Sequence, residues 1–428
     1  MSTFDLVDVP AEARELVVEM SRLVGPSLHA ECGGSVTEVV ETPIVVYIYV
    51  KSSLLSLDWS TDEQYALDVQ TKEDGVQVRI SAETVYGARH ALETFTQLAA
   101  ADRPDFSDQT QCSLRLVSGA KIRDHPAYKH RGFVLDSSRH FIPMKDIKRT
   151  IDGMAATKMN VFHWHVTDSH SFPLESTRVP QFTRYGAYSP SEIYSTEEVR
   201  ELVKYAQIRG VRMVIEIDSP AHAGNGWQWG KLNPANPAVY RVLKDLYRDI
   251  AELLPKPALL HVGGDEVFFP CWNSSEEITN YMEGKGFDTS TTDGFIKLWG
   301  EFHEKSLQLW DGEAVSVPKD IWYLDHGFWG MTTYSNWRKM YAHLLPKENG
   351  MLGGEVAMWS EYVDEQDLDT RVWPRAAAVA ERLWSDPITS VYTAEPRLQR
   401  MRGRLINRGL RPDAISPAWC SQHDGRCL

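Results

Sequence analysis

The chain has 428 residues, 43% hydrophobic and 24% charged, with a net charge of −14; that length holds two or three domains, and that composition excludes wholesale disorder. The acidic balance argues against nucleic acid, which is bound by Lys and Arg neutralising phosphates, and against anionic membrane surfaces, leaving neutral sugars or basic partners open. No apolar run reaches 18 residues, so no membrane span is expected, and Met1-Ser2-Thr3-Phe4-Asp5 lacks a cationic stretch before an apolar core, so no signal peptide is expected in the sequence as written.

Residues 1–127 read as a small α+β domain. Ile44 to Lys51 is a run of β-branched and aromatic residues, a strand. Tyr65 to Val69 and Val76 to Ile80 repeat that character around Lys72-Glu73-Asp74-Gly75, a polar turn ending in glycine, and predict a hairpin. Thr84 to Ala99 places Ala88, Ala91, Leu92, Phe95 and Leu98 on one face of a helix. From residue 128 to 428 the pattern is strand, loop, helix, repeated. Apolar strands are expected at Arg131 to Asp136, Asn160 to His165, Val211 to Asp218, Leu259 to Val262, Ile321 to Asp325 and Val356 to Trp359, with Ser306 to Leu309 as a seventh. Helices fall between them at Thr196 to Gln207, Pro237 to Leu253 and Phe295 to Lys305. Alternation of this kind implies a parallel sheet, and polar residues at successive strand ends imply a (β/α)₈ TIM barrel. Seven candidates are one short of eight, and too few residues separate Lys305 from Ile321 for another β/α unit.

The five cysteines are Cys32, Cys112, Cys271, Cys420 and Cys427. Cys420 and Cys427 are close enough in sequence to bridge and Cys32 with Cys112 could form a second bridge, which leaves Cys271 odd. The sequon Asn273-Ser274-Ser275 points the same way, toward a secretory route.

The sharpest chemical signal is His261-Val262-Gly263-Gly264-Asp265-Glu266. Two glycines permit a tight turn at a strand end, and two adjacent carboxylates then project into one pocket. Like charges this close separate their pKa values, so one holds a proton while the other stays ionised. A bare Asp-Glu pair is more often a solvated loop; behind an apolar strand and two glycines the catalytic reading is favoured. Arg131 opens a strand and has two readings, a forked clamp for sugar hydroxyls or an ordinary surface arginine. Asp136, Arg139 and His140 read at least as well as a buried structural ion-pair network. His163 and His165 share one side of a strand, either as paired metal ligands or as hydrogen-bonded core histidines. Asp168, at the end of that strand, pairs plausibly with His222 of Asp218-Ser219-Pro220-Ala221-His222. Fourteen tryptophans suit a sugar pocket, although barrel packing accounts for most of them; Trp359 has polar neighbours that suit a pocket wall.

Several of these segments resemble glycoside hydrolase family 20, in order: HRGFVLDSSRHF (130–141), FHWHVTDSHSFP (162–173), IEIDSPAH (215–222), HVGGDEV (261–267), WYLD (322–325), GGEVAMWSEY (353–362) and RVWPRAAAVAERLW (371–384). The resemblance is to the animal lysosomal and arthropod β-N-acetylhexosaminidases and covers most of the chain. It implies an exo-acting enzyme that removes terminal N-acetylhexosamine with retention, an exception to the two-carboxylate scheme because the substrate's own acetamido oxygen is the nucleophile. By resemblance Glu266 is the acid and base, and Asp265 orients the acetamido group. Tyr323 binds its carbonyl and Trp359 walls it. Arg131, Asp325 and Glu361 hold ring hydroxyls, and Asp168 and His222 support Glu266. A glycan or chitooligosaccharide substrate, a homodimer and a lysosomal or secreted location are implied; no cofactor or metal is. Two departures stand out. Two pocket tryptophans have no counterpart between the HVGGDEV and WYLD segments, with Trp310 the one relic. A second gap falls between Gly230 and Lys231, where the resemblance implies a cysteine partner for Cys271. Both point to an incomplete or alternatively spliced coding sequence. They set up the competing expectation of a catalytically impaired, sugar-binding relative. Metal-dependent hydrolysis through His163 and His165 is a third reading, weakened because no further ligand set has zinc spacing.

Overall fold

The computed structural model describes residues 2–32, 42–102, 112–223, 232–310, 313–315, 321–323 and 334–423. The first sheet contains β1 (Ser2–Asp8), β2 (Ile44–Val50), β3 (Tyr65–Lys72), β4 (Gly75–Ala82) and β7 (Gly119–Asp124), in the order β1-β2-β4-β3-β7, while β5 (Ala99–Asp102) and β6 (Ser113–Leu116) form a separate pair. The hairpin read from Lys72 to Gly75 is present, with Lys72 opposite Gly75 in the β3/β4 register. Gly75 is required there: its φ is +145°, and a Cβ would lie 2.4 Å from the Pro43 carbonyl oxygen. The helix Val85–Gln97 is capped by the Thr84 hydroxyl, which accepts from the Gly87 N–H, and it buries Ala88, Ala91, Leu92 and Phe95 against this sheet. A disulfide joins Cys32 to Cys112, as the cysteine count allowed. Cys420 is also disulfide-bonded, and Cys427 lies outside the described residues.

Among the described residues the second sheet has seven parallel strands: β8 (His130–Asp136), β9 (Val161–Thr167), β10 (Arg212–Ile217), β11 (Leu259–His261), β12 (Glu313–Val315), β13 (Ile321–Tyr323) and β14 (Gly353–Met358), ordered β12-β11-β10-β9-β8-β14-β13. Helices connect them, including Met144–Ala156, Thr196–Ile208, Pro237–Leu253, Thr292–Leu307 and Arg375–Ser385. The strand expected at Ser306 to Leu309 is not one: Thr292–Leu307 is a single helix, with Phe295, Leu298, Phe302 and Ser306 buried at helical spacing. The seventh strand is instead Glu313–Val315, paired in parallel with β11. Among the described residues no pairing joins β12 to β13.

Every residue of β8 and β9 is buried, so both faces of the sheet are covered. One face is apolar: Phe133, Leu135, Phe162, Trp164, Ile215, Leu260, Val356 and Met358 pack with helix residues such as Ile147, Ile151, Leu202 and Leu246. The other carries His163, His165, Glu216, His261 and Glu355. His163 of β9 reaches Glu355 of β14 at 3.0 Å and lies 4.4 Å, ring to ring, from His261 of β11. Each of those strands is two places away, roughly 9.5 Å in a flat sheet, so the sheet curls inward around its charged face.

Candidate active site at the strand ends

Strand β9 ends at Thr167, and the next residue, Asp168, is buried. Its Oδ2 meets His165 Nε2 at 3.1 Å, Arg139 Nη2 at 2.8 Å and His222 Nδ1 at 3.2 Å. Burial works against the Asp168 charge, yet the hydrogen bonds from His165, His170 and His222 outweigh it and hold the carboxyl well below its usual range. His222 sits in the loop after β10 with φ +54°, a left-handed conformation that costs a non-glycine residue roughly 1–3 kcal/mol. Its other nitrogen, Nε2, lies 3.3 Å from Glu266 Oε2. Burial opposes the imidazolium, but Asp168 and Glu266 on its two nitrogens raise its pKa to about 10.

Glu266 is the open end of this chain. Its side chain is 75% exposed, against 14% for His222. The hydrogen bond from His222 lowers its pKa; burial pulls the other way, and the charges of His222 and Arg139 add to the lowering. Backbone strain is concentrated just before it, with φ values of +60°, +117° and +51° at Gly263, Gly264 and Glu266. A Cβ at Gly263 would lie 1.9 Å from Asp218 Oδ1, and one at Gly264 would lie 2.2 Å from His303 Cε1. The turn therefore needs both glycines, for close approach as well as for φ. It is pinned from two sides: the Gly264 N–H donates to Asp218 Oδ1 at 2.7 Å, and Trp299 Nε1 donates to the Gly264 carbonyl at 2.8 Å. Asp265 is exposed, with its carboxylate in a group with Asp218 and His222 whose polar atoms all lie within 4.8 Å of one another. Burial, then the charges of Glu216 and Asp265, push Asp218 well above the ordinary carboxyl range.

On the other side of Asp168, Asp136 at the end of β8 accepts from the Arg139 N–H and guanidinium and from the Ser360 N–H beyond β14. The guanidinium lies 5.3 Å over the Trp359 ring, and the Trp359 ring meets His165 edge-on at 4.9 Å. Burial opposes the Arg139 charge; Asp136, Asp168 and Glu361 outweigh it and strengthen the cation.

A family model described as the catalytic domain of glycosyl hydrolase family 20 matches residues 128–231, 227–297 and 286–387. The chain belongs to glycosyl hydrolase family 20. A second model, "beta-acetyl hexosaminidase like", matches residues 28–98. Among curated relatives of the family, a chitooligosaccharidolytic beta-N-acetylglucosaminidase of Ostrinia furnacalis is 35% identical over 86% of this chain and 75% of its own length. The Bombyx mori protein of the same description is 34% identical over 99% of this chain and 83% of its own. The human beta-hexosaminidase subunit beta is 33% identical over 85% and 74%. The fold is shared with the family 20 chitobiase of Flavobacterium johnsoniae, with a TM-score of 0.74 and 24% identity over 96% of this chain and 70% of that one.

The structure brings Asp168, His222, Glu266, Asp265, Trp359 and Glu361 to one end of the sheet. Arg131 is a correction. It is fully buried at the N-terminal end of β8, where its guanidinium makes a forked pair with Glu63 at 2.6 and 3.0 Å and donates to the Tyr128 and Lys158 carbonyls. It ties the two sheets together and cannot reach a sugar at the strands' other end. Arg139, eight residues on, is the arginine at the site; sequence reasoning treated it as structural. The signal available was position, since it follows the strand's C-terminal acid, where the chemistry of such sheets is placed. Tyr323 is described only as backbone, paired in register with Ala357 two residues before Trp359; Asp325 lies outside the described residues. His163, with Glu216 and His261, and His165, with Glu216 and Asp218, have a spacing that would admit a metal ion, but their hydrogen bonding weighs against one. Both nitrogens of each lie within hydrogen-bond distance of carboxylates: His163 contacts Glu355 and Glu216, and His165 contacts Glu216 and Asp168. Held as imidazolium, each donates twice and keeps no lone pair for an ion.

Proposed function

We propose that the chain is an exo-acting β-N-acetylhexosaminidase that removes terminal β-linked N-acetylhexosamine from a glycan or chitooligosaccharide. The observation that carries this reading is the Asp168–His222–Glu266 chain ending in a solvent-facing carboxylate beside Asp265. Glu266 protonates the glycosidic oxygen. A sugar seated on it strips the water that now favours its charge, which moves its pKa upward toward a proton-donating range. The substrate's acetamido oxygen attacks the anomeric carbon, and the resulting oxazolinium is hydrolysed by water that Glu266 activates. Asp265 orients the acetamido N–H and offsets the developing positive charge. Trp359 walls the acetamido group, Tyr323 binds its carbonyl, and Glu361 and Asp325 hold hydroxyls. Arg139, held by Asp136 and Asp168, takes the hydroxyl-binding role expected of Arg131.

The second sheet reads as a TIM barrel short of about one β/α unit, on a domain of residues 128–428 that follows a smaller one of 1–127. The lack of a pairing between β12 and β13 among the described residues supports this. So does the alignment with the Ostrinia relative, which at 452 positions is longer than this 428-residue chain. The Cys32–Cys112 bridge and an exposed Asn273 in the sequon fit the lysosomal or secreted route of the relatives, and a homodimer fits the family. No helix among the described residues is long and apolar enough to cross a membrane. The test is release of chromophore from an aryl N-acetyl-β-glucosaminide. Glu266→Gln should cut kcat by about 10²–10⁴, and unchanged turnover in that variant sinks the assignment. Sugar binding without turnover in the unmodified chain would favour the impaired relative instead, a reading motivated by the lack of that pairing among the described residues.

A further inference from the structure

The charged face of the second sheet contains more ionisable groups than the proposed mechanism uses. Glu216, on β10, is buried among three imidazoles: it accepts from His163 Nε2 and His165 Nδ1 on Oε2, and its Oε1 lies against His261 Nδ1, each at 2.9 Å. His165 then passes to Asp168 at 3.1 Å, Asp168 to His222 at 3.2 Å, and His222 to Glu266 at 3.3 Å. In the other direction His163 Nδ1 meets Glu355 at 3.0 Å, and Glu355 meets His130 at 2.7 Å. Carboxylates and imidazoles alternate without a break from His130, at the start of β8, to Glu266. The other titratable or charged groups facing these residues are Asp218, just after β10, Arg139 from the loop after β8, His170 against Asp168, and Asp265 beside His222.

Apolar side chains would hold this sheet face together at least as well, because a buried ion pair seldom repays the loss of hydration. Asp168 alone cannot fix His222, since a carboxylate rotates about its own bond. Two cations on its Oδ2, His165 and Arg139, oppose that rotation together with the Ser169 N–H, which donates to Oδ1. His165 is in turn fixed by Glu216. We propose that Glu216 is a positioning residue of the acid–base apparatus, acting through His165 and Asp168 to set the orientation and protonation of His222 against Glu266. This rests on the reading of Glu266 given above. Glu216 touches no substrate. Its charge holds the proton on His165, and the protonated ring fixes the next carboxylate. Burial opposes both imidazolium ions, but the carboxylates prevail: His163 is raised to about 10 and His165 is raised well above the ordinary histidine value.

The test compares Glu216→Gln with the unmodified enzyme on an aryl N-acetyl-β-glucosaminide, with Glu266→Gln beside it. Glu216→Gln should lower kcat at least about tenfold and leave KM within about twofold. It should also move the alkaline limb of the kcat/KM profile to lower pH by about half a unit or more, because removing a negative charge weakens proton binding along the chain. Unchanged kcat and profile in a folded Glu216→Gln protein, with Glu266→Gln inactive, overturn the inference and leave the site reading intact. Active Glu266→Gln overturns the site reading itself. If Glu216→Gln does not fold, ¹⁵N-histidine spectra of the unmodified protein decide. His165 should be doubly protonated through pH 8, and a neutral His165 ring at pH 7 overturns the proposal.

Discussion

Two arginines eight residues apart do opposite jobs, and position relative to the strand decides which. Arg131 is fully buried against Glu63, whose pKa falls to about 2: burial opposes its charge, but Arg131 and His90 outweigh that. Removing one partner of such a pair leaves the other uncompensated, so Arg131→Ala should cost about 3–5 kcal/mol in urea unfolding and leave KM unchanged in the folded fraction. Arg139→Ala should do the reverse, raising KM or lowering kcat about 10²-fold with a smaller loss of stability. His222 gives a pH prediction. Its folded pKa of about 10 lies above the unfolded value of about 6.5. The stability it contributes is therefore fully present below about pH 6.5 and is lost as pH rises through 10. Thermal melting of the unmodified chain should decline over that window more steeply than melting of His222→Gln. Equal slopes would mean that the imidazolium is not held as described.

At the scale of elements, the loop from Gly263 to Glu266 is the component with least tolerance. Three of its four residues have positive φ, and both glycines approach another side chain more closely than a Cβ permits. Gly264→Ala should lower kcat about 10²-fold, because a displacement of about 1 Å is enough to spoil proton transfer. It should also cost about 1–3 kcal/mol in stability. Trp299→Phe, which removes the donor to the Gly264 carbonyl but keeps the ring, should show a milder kcat loss of the same kind. The strands and helices around this loop were largely legible beforehand. Helix Pro237–Leu253 matches the range read from its periodicity, and Thr196–Ile208 ends one residue later. Ser306 to Leu309 reads as a strand yet is not one, because four residues of alternating polarity do not distinguish a strand from the last turn of a helix.

For the whole molecule, the N-terminal sheet and the C-terminal helices are one folding problem. Trp384, from Arg375–Ser385, packs into the core of the first sheet, and Arg408 pairs with the buried Glu93 at 2.6 Å. The Cys32–Cys112 bridge closes a span of 80 residues within the first unit. In the chain-entropy picture such a loop contributes about 4 kcal/mol, so paired Cys32→Ser and Cys112→Ser changes should lower unfolding free energy by about that amount. An equally stable reduced protein would argue that packing between the units dominates.

The sequence by itself determined the alternation of strand and helix, the acid pair after two glycines, and the residues that follow the strand ends, because periodicity and turn chemistry are local. It also supplied the membership of the family through ordered segments. It did not determine which arginine faces the sugar, nor that Glu216 gathers three histidines from strands on either side. Those depend on which strand neighbours which and on how far the sheet curls. Side chains that are 45 or more residues apart in the chain meet only after the sheet has curled around its charged face, so only the tertiary structure could assign them.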